Sequence, residues 1–115
     1  MIKRPDMITL FMFSATIWAV HRIHWDVPYA RAEGLPGPVL PGWMLSSYLA
    51  QLAETRAAVD RRLHRIAVRY RAPVHPGDTL DCRAVAGEDP HELTLTMINQ
   101  HGTAVAAGTA TLAAR

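Results

Sequence analysis

The sequence predicts an α+β fold in which one long buried helix is followed by an antiparallel sheet. Two periodicities and a set of turns predict it. Leu45, Leu49 and Leu52, with Met44 and Tyr48, recur at helical spacing behind Pro41-Gly42, the longest helical pattern in the chain. From Arg65 the period falls to two, with Ile66, Val68 and Tyr70 set among Arg65, Arg69 and Arg71 as in a strand with one wet face. The clusters His75-Pro-Gly-Asp78, Gly87-Glu-Asp-Pro90 and Gln100-His-Gly102 then cut the remainder into short strands. Helix first and strands after is an α+β order.

Taken in order, Asp6 is placed to cap a short helix running to about Ile17, with Ile8, Leu10, Met12 and Phe13 as its apolar positions. His21 to Asp26 reads as a loop, and Val27-Pro28 opens a single helical turn through Ala32. Gly34-Leu-Pro-Gly-Pro38 breaks that turn. The central helix follows, kept narrow by nearby alanines so that a sheet can wrap closely over it. Strands are expected from Arg65, from Leu80 through Cys82 and Ala84, from about Glu92 to Asn99, and from about Thr103 to Leu112, joined as a meander. With no repeat, low-complexity tract or linker, residues 1–115 read as a single domain.

Composition narrows the function classes. Half of the residues are hydrophobic (50%), which fits an ordered globular chain rather than a disordered one. No apolar run approaches the roughly 20 residues that span a bilayer, so no membrane segment is expected. Lys3 and Arg4 are followed by Asp6, Ser14 and Thr16 interrupt the apolar stretch, and no small-residue cleavage site follows, unlike a signal peptide. Cys82 is the only cysteine, which excludes an intrachain disulfide and suits a cytoplasmic location. Arginines cluster between Arg56 and Arg71, either as a solvated face or as a patch for a phosphate-bearing partner. Nucleic acid is not expected, because no zinc-finger spacing or aromatic RNA-binding motif accompanies them.

Catalytic signals are sparse outside one loop. There is no Gly-x-Ser-x-Gly elbow, phosphate loop or dinucleotide fingerprint. His64, His75, His91 and His101 stand singly at predicted strand starts or turns and read as surface residues. The loop, by contrast, gathers His21, Arg22, His24 and Asp26 between Trp18 and Trp25. Three chemistries fit it. His-x-x-His-x-Asp supplies three potential metal ligands but nominates no fourth. Arg22 paired with Asp26 beside exposed histidines makes a structural polar loop. A histidine near neutral pH makes an acid–base group.

The run Phe13-Ser14-Ala15-Thr16-Ile17-Trp18-Ala19-Val20-His21-Arg22-Ile23-His24-Trp25-Asp26, with Tyr29-Ala30 and Gly34, resembles a subgroup of MaoC-like acyl-thioester dehydratases that includes the mesaconyl-type CoA hydratases. Arg71-Ala-Pro-Val-His-Pro-Gly-Asp78, Asn99-Gln100 and Gly108-Thr109-Ala110-Thr111 extend the likeness over nearly the whole chain. Members often carry two such units in one polypeptide. This chain is similar to the second unit, with little room for a full first strand.

The resemblance implies a hot-dog fold, a long helix wrapped by an antiparallel sheet, pairing as a homodimer or as a heterodimer with a second hot-dog unit. It implies an (R)-specific hydratase/dehydratase interconverting 2-enoyl and 3-hydroxyacyl thioesters of coenzyme A or acyl carrier protein, with no metal or cofactor. His24 falls on the family's catalytic histidine, with His21, Arg22 and Asp26 as possible supports. Gly42 falls on the glycine whose N–H, at the positive end of the central helix, holds the thioester oxygen. Trp43, Met44 and Tyr48 are placed to line an acyl pocket or, equally, to be ordinary core. Two positions depart from the pattern. The acidic or carboxamide partner of the histidine is Ala19 here, and the family's His-Gly before the central helix is Pro41-Gly42. A non-catalytic or partner-dependent subunit that binds acyl thioesters is therefore the alternative reading.

Overall fold

The computed structural model describes residues 1–115. Its elements are β1 (Ile2–Lys3), α1 (Met7–Thr16), a 3-10 turn (Arg22–His24), α2 (Val27–Ala32), α3 (Gly42–Arg56), β2 (Arg61–Tyr70), β3 (Leu80–Ala86), β4 (Glu92–Ile98) and β5 (Ala104–Ala114). Asp6 caps α1 as expected, accepting the Thr9 N–H at 2.7 Å. Asp26 does the same for α2 with Tyr29, and Pro28 sits in that helix's first turn, where its missing N–H costs nothing.

The long helix packs on a five-stranded antiparallel sheet of order β1-β3-β4-β5-β2. The expected meander holds only for β3, β4 and β5. The strand that leaves α3 passes over the others and pairs with the last one, from Arg61↔Ala114 to Tyr70↔Ala106. Length explains the choice, since β2 and β5 are the two longest strands (10 and 11 residues) and together satisfy the most backbone groups. The last strand is therefore internal and has no free edge. β1 and β2 are the edges, and Tyr70 lies on one of them.

β2 also begins four residues before the expected Arg65. Its register shifts between Leu63 and Arg65, a bulge at His64. Leu63 and Ile66 both pack against the core although they are three apart, so strict alternation cannot reveal the strand's start. The core itself is Met44, Leu45, Leu49, Leu52 and Ala53 of α3 laid across Leu80, Cys82, Leu95, Met97, Val105, Ala106 and Ala110 of the sheet. Each fully buried leucine there contributes about 1.5–3 kcal/mol. Burial pushes the Cys82 thiol up to about 11, so it stays neutral and acts as a small apolar filler. No helix is long and apolar enough to cross a membrane.

Small residues set how closely β5 meets β2. A methyl group at Gly108 would run into the carbonyl oxygen of Ala67 on the paired strand. Backbone is not a flexible neighbour. Gly108→Ala should cost about 1–3 kcal/mol through this overpacking, read as a lower urea midpoint, and an unchanged midpoint would show that the strands separate freely.

Candidate active site

The loop expected at His21–Asp26 is a 3-10 turn held by its own side chains. Arg22 donates from Nε and Nη2 to Asp26 Oδ2, at 2.9 and 2.7 Å, and its guanidinium lies over the Tyr29 ring, 4.7 Å from the centroid. The other carboxylate oxygen, Oδ1, accepts the Tyr29 N–H at 3.1 Å. His21 Nδ1 accepts the Ile23 N–H at 3.1 Å, and its ring meets Tyr29 edge-on at 5.7 Å. His21, Arg22 and Asp26 thus enclose Tyr29 and fix the turn. Arg22 pairs with Asp26 as in the structural-loop reading, the second Asp26 oxygen is engaged as well, and His21 turns its Nδ1 back to the chain.

His24 is tied elsewhere. Its Nδ1 lies 2.7 Å from the Val39 carbonyl oxygen, which can only accept. Nδ1 therefore carries a proton, and in the neutral form of this half-buried ring the lone pair is on Nε2. That is the electronic form of a general base.

The segment that holds it, Pro38 to Leu40, is hydrogen-bonded on both sides. On one side the Val39 N–H donates to Ile23 O at 3.0 Å while Val39 O receives the His24 ring. On the other, the Leu40 N–H donates to Val74 O at 2.9 Å while Pro38 O receives His75 Nδ1 at 2.9 Å. Successive residues of an extended chain present their polar groups to opposite sides. Each flank is thus a carbonyl followed by an imidazole, Ile23-His24 and Val74-His75. His75, set aside in the sequence as a turn residue, is the counterpart of His24. The repeated aliphatic-His pair was its only signal.

The segment leads directly into α3. Pro41 offers no side-chain cap and the Met44 N–H turns back to Pro41 O, leaving the Gly42 and Trp43 amides without a protein acceptor. Gly42 lines a cavity of about 380 Å³ with Leu35, Val39, Leu45, Tyr70 and Arg71. Val39 therefore joins the His24 loop to the amide donors, although the His24 ring is not among the residues lining this cavity. Tyr70, which sequence reasoning did not connect with the site, covers the helix start. Its hydroxyl is 2.6 Å from Ser46 Oγ, and its ring lies 2.6 Å from where a Cβ on Gly42 would fall. A side chain at position 42 would have to displace that ring.

The residues expected at an acyl pocket go three ways. Trp43 is 75% exposed, Met44 belongs to the core, and Tyr48 is half-buried under the Lys3 ammonium, 5.2 Å from its ring centroid. Ala19 lines a separate apolar cavity of about 410 Å³ with Phe11, Ala15, Val20, Trp25 and Ser14, whose buried hydroxyl has no hydrogen-bond partner. The turn that delivers Ala19 closes α1 through Ala19 N–H to Ser14 O and Trp18 N–H to Ala15 O, with Trp18 at φ 58°.

The fold and the loop sequence together point to the class of the acyl-thioester dehydratases. The chain belongs to the hydroxyacyl-thioester dehydratase type 2 family, whose model matches residues 2–76. It is 33% identical over 105 residues to the mesaconyl-C(4)-CoA hydratase of Chloroflexus aurantiacus, covering 81% of this chain and 37% of that protein. The chain thus spans little more than a third of that relative's length. In fold it is similar to the (R)-hydratase from A. caviae involved in PHA biosynthesis, with a TM-score of 0.84 and 21% identity over 100% of this chain and 92% of the other. A chain of the ChsH1-ChsH2 complex from Mycobacterium tuberculosis gives 0.85 and 16% identity over the same shares. The wrapped-helix architecture is the hot-dog fold.

Asp26 gives the loop a pH signature. The Tyr29 N–H, and then the Arg22 guanidinium, hold its carboxyl below the usual value of 3.8. A depressed folded-state pKa stabilises above the unfolded value and loses that contribution as pH falls through the folded one. The stability gap between the wild type and Asp26→Asn should be constant near neutrality and shrink below pH 3.8, measured by thermal unfolding against pH. A gap that does not change with pH would remove the carboxylate from the loop's stability.

Proposed function

We propose that this chain is an (R)-specific hydratase/dehydratase interconverting 2-enoyl and 3-hydroxyacyl thioesters, with His24 as its acid–base residue. The observation that carries the reading is the His24 Nδ1–H bond to Val39, which leaves Nε2 basic. Hydration adds water across the 2,3 double bond, hydroxide to the β carbon and a proton to the α carbon, through an enolate on the thioester. His24 Nε2 removes the proton from the attacking water and returns one to the α carbon. The Gly42 amide, at the uncapped positive end of α3, donates to the developing enolate oxygen. The relative from Chloroflexus, named for hydration of a CoA thioester, supports this assignment. The acyl chain would run past the Trp43 side of the helix start.

A second reading, a subunit that binds acyl thioesters without completing the chemistry alone, is favoured by one observation. The cavity beside Ala19 contains no ionisable side chain, and its one hydroxyl is that of Ser14, so no carboxylate or carboxamide stands at the position the family uses. Both readings require a second unit. β2 presents an unpaired ten-residue edge, and the solved ChsH1-ChsH2 complex supports a partner of the same fold, whether a copy of this chain or a different one.

Crotonyl-CoA hydration tests the first reading. His24→Gln should lower kcat by about 10²–10⁴-fold while the melting curve stays close to wild type. Wild-type protein inactive across several acyl lengths, beside an active family member, would leave the second reading. Light scattering tests the pairing, expected at twice the 12.7 kDa of one chain or in complex with a co-purified hot-dog partner. A mass of one chain in both cases would exclude it.

A further inference from the structure

Alternation along β2 turns Ile66, Val68 and Tyr70 toward α3. The first two meet the core, and Tyr70, the last residue of the strand, reaches past it to the helix start. Its ring lies along one face of the first turn, where residues four apart are neighbours. Cε2 and Cζ come 2.6 and 2.7 Å from where a Cβ on Gly42 would fall, and the hydroxyl meets Ser46 Oγ at 2.6 Å. The ring is thus held at both ends, by Ser46 and by a backbone registered opposite Ala106 of β5. With two side-chain torsions between those restraints, it is a wall rather than a flap.

That wall bounds the cavity of about 380 Å³ that Gly42 shares with Val39, whose carbonyl holds the His24 ring. Its one polar atom is engaged by Ser46, so the ring offers the cavity an apolar surface. A thioester oxygen that accepts the Gly42 N–H brings its carbonyl carbon within about 4 Å of that nitrogen, with the α carbon one bond beyond. The ring covers the Cα of the same glycine. A substituent on the α carbon therefore competes with it for space, whereas an unbranched chain can pass along the Trp43 side. A methyl group is the size of the Cβ that the ring already excludes from Gly42.

We propose that Tyr70 is a specificity-determining residue, the wall that selects acyl groups unbranched at the α carbon, and that Ser46 is the positioning residue that holds it. The inference rests on the thioester reading above, with the Gly42 amide as the donor to the carbonyl oxygen. Ser46 touches the ring and not the substrate, so its effect passes through Tyr70 alone.

Tiglyl-CoA, which is crotonyl-CoA with a methyl group on the α carbon, provides the test. Its different intrinsic reactivity enters every variant alike, so the quantity to compare is kcat/KM for tiglyl-CoA over that for crotonyl-CoA, relative to wild type. Tyr70→Ala should raise this ratio about tenfold or more, the range that one methyl group is worth in an apolar pocket. Tyr70→Phe keeps the ring and loses its tether. That variant and Ser46→Ala should each raise the ratio about threefold, and the double variant no further than either alone, because all three remove one contact. A purely structural role would lower both rates or the melting temperature and leave the ratio where it was. An unchanged ratio in Tyr70→Ala overturns the proposal; if that variant does not fold, an unchanged ratio in both Tyr70→Phe and Ser46→Ala does so. If wild-type protein turns over neither thioester, both stay intact and calorimetric affinities replace the rates. The same change in ratio then keeps the wall and loses the hydratase reading, whereas an unchanged affinity ratio, or no binding of either thioester, overturns the wall as well.

Discussion

Everything that positions chemistry in this chain depends on the extended segment from Pro38 to Leu40. Three residues present three carbonyls and two N–H groups, and four of these five are used, two to each side. Each bond is worth only about 1 kcal/mol net. Their importance is geometric, because in each pair an imidazole takes the place of the backbone N–H that would continue a ladder. The segment therefore fixes ring orientation and tautomer at once for His24 and His75. Two residues further on it delivers Gly42, so the His24 ring and the amide donors share one short rigid support.

The rest of the loop serves that arrangement. Arg22, Asp26, His21 and Tyr29 interlock with one another, which keeps the turn closed and presents Ile23 O and the His24 ring side by side to Val39. Exposed, each of these contacts is weak. Together they restrict a turn that has little buried apolar area of its own. Tyr70 performs the corresponding service from β2, lying across Gly42 and anchored to Ser46, so the sheet edge and the helix start are registered against each other.

The sequence made the helices legible because each had a physical marker at its start: Asp6, Asp26 with Pro28, and Pro41-Gly42. It made β3, β4 and β5 legible through alternation and turns, with ends misplaced by a residue or two. Strand order was not legible. Nothing local in Arg61–Tyr70 says that its partner lies forty residues away in β5, and the bulge at His64 hid the strand's first turn of alternation. At the site, His24 and Gly42 were visible as motif positions, but Val39 and Pro38 act through backbone carbonyls, which carry no sequence signal. His75 looked like any turn histidine for the same reason. Its role depends on which carbonyl it meets.

Ala19 then sharpens what the acid–base reading requires. On that reading a polar side chain at that position would share the handling of water with the histidine; a methyl group cannot. On the hydratase reading, one imidazole must then take the proton from water and return a proton to carbon, and its Nε2 has to reach both. The Val39 bond favours this, since a ring with Nδ1–H engaged cannot flip to expend its lone pair elsewhere. The same bond stabilises the imidazolium formed midway, because the carbonyl dipole points at the protonated ring. A hydratase of this design substitutes a firmly oriented base for a paired one. Within the Ala19 cavity the Ser14 hydroxyl is the one side-chain oxygen, and the unpaired edge of β2 is where a second unit can bring further polar atoms to the water.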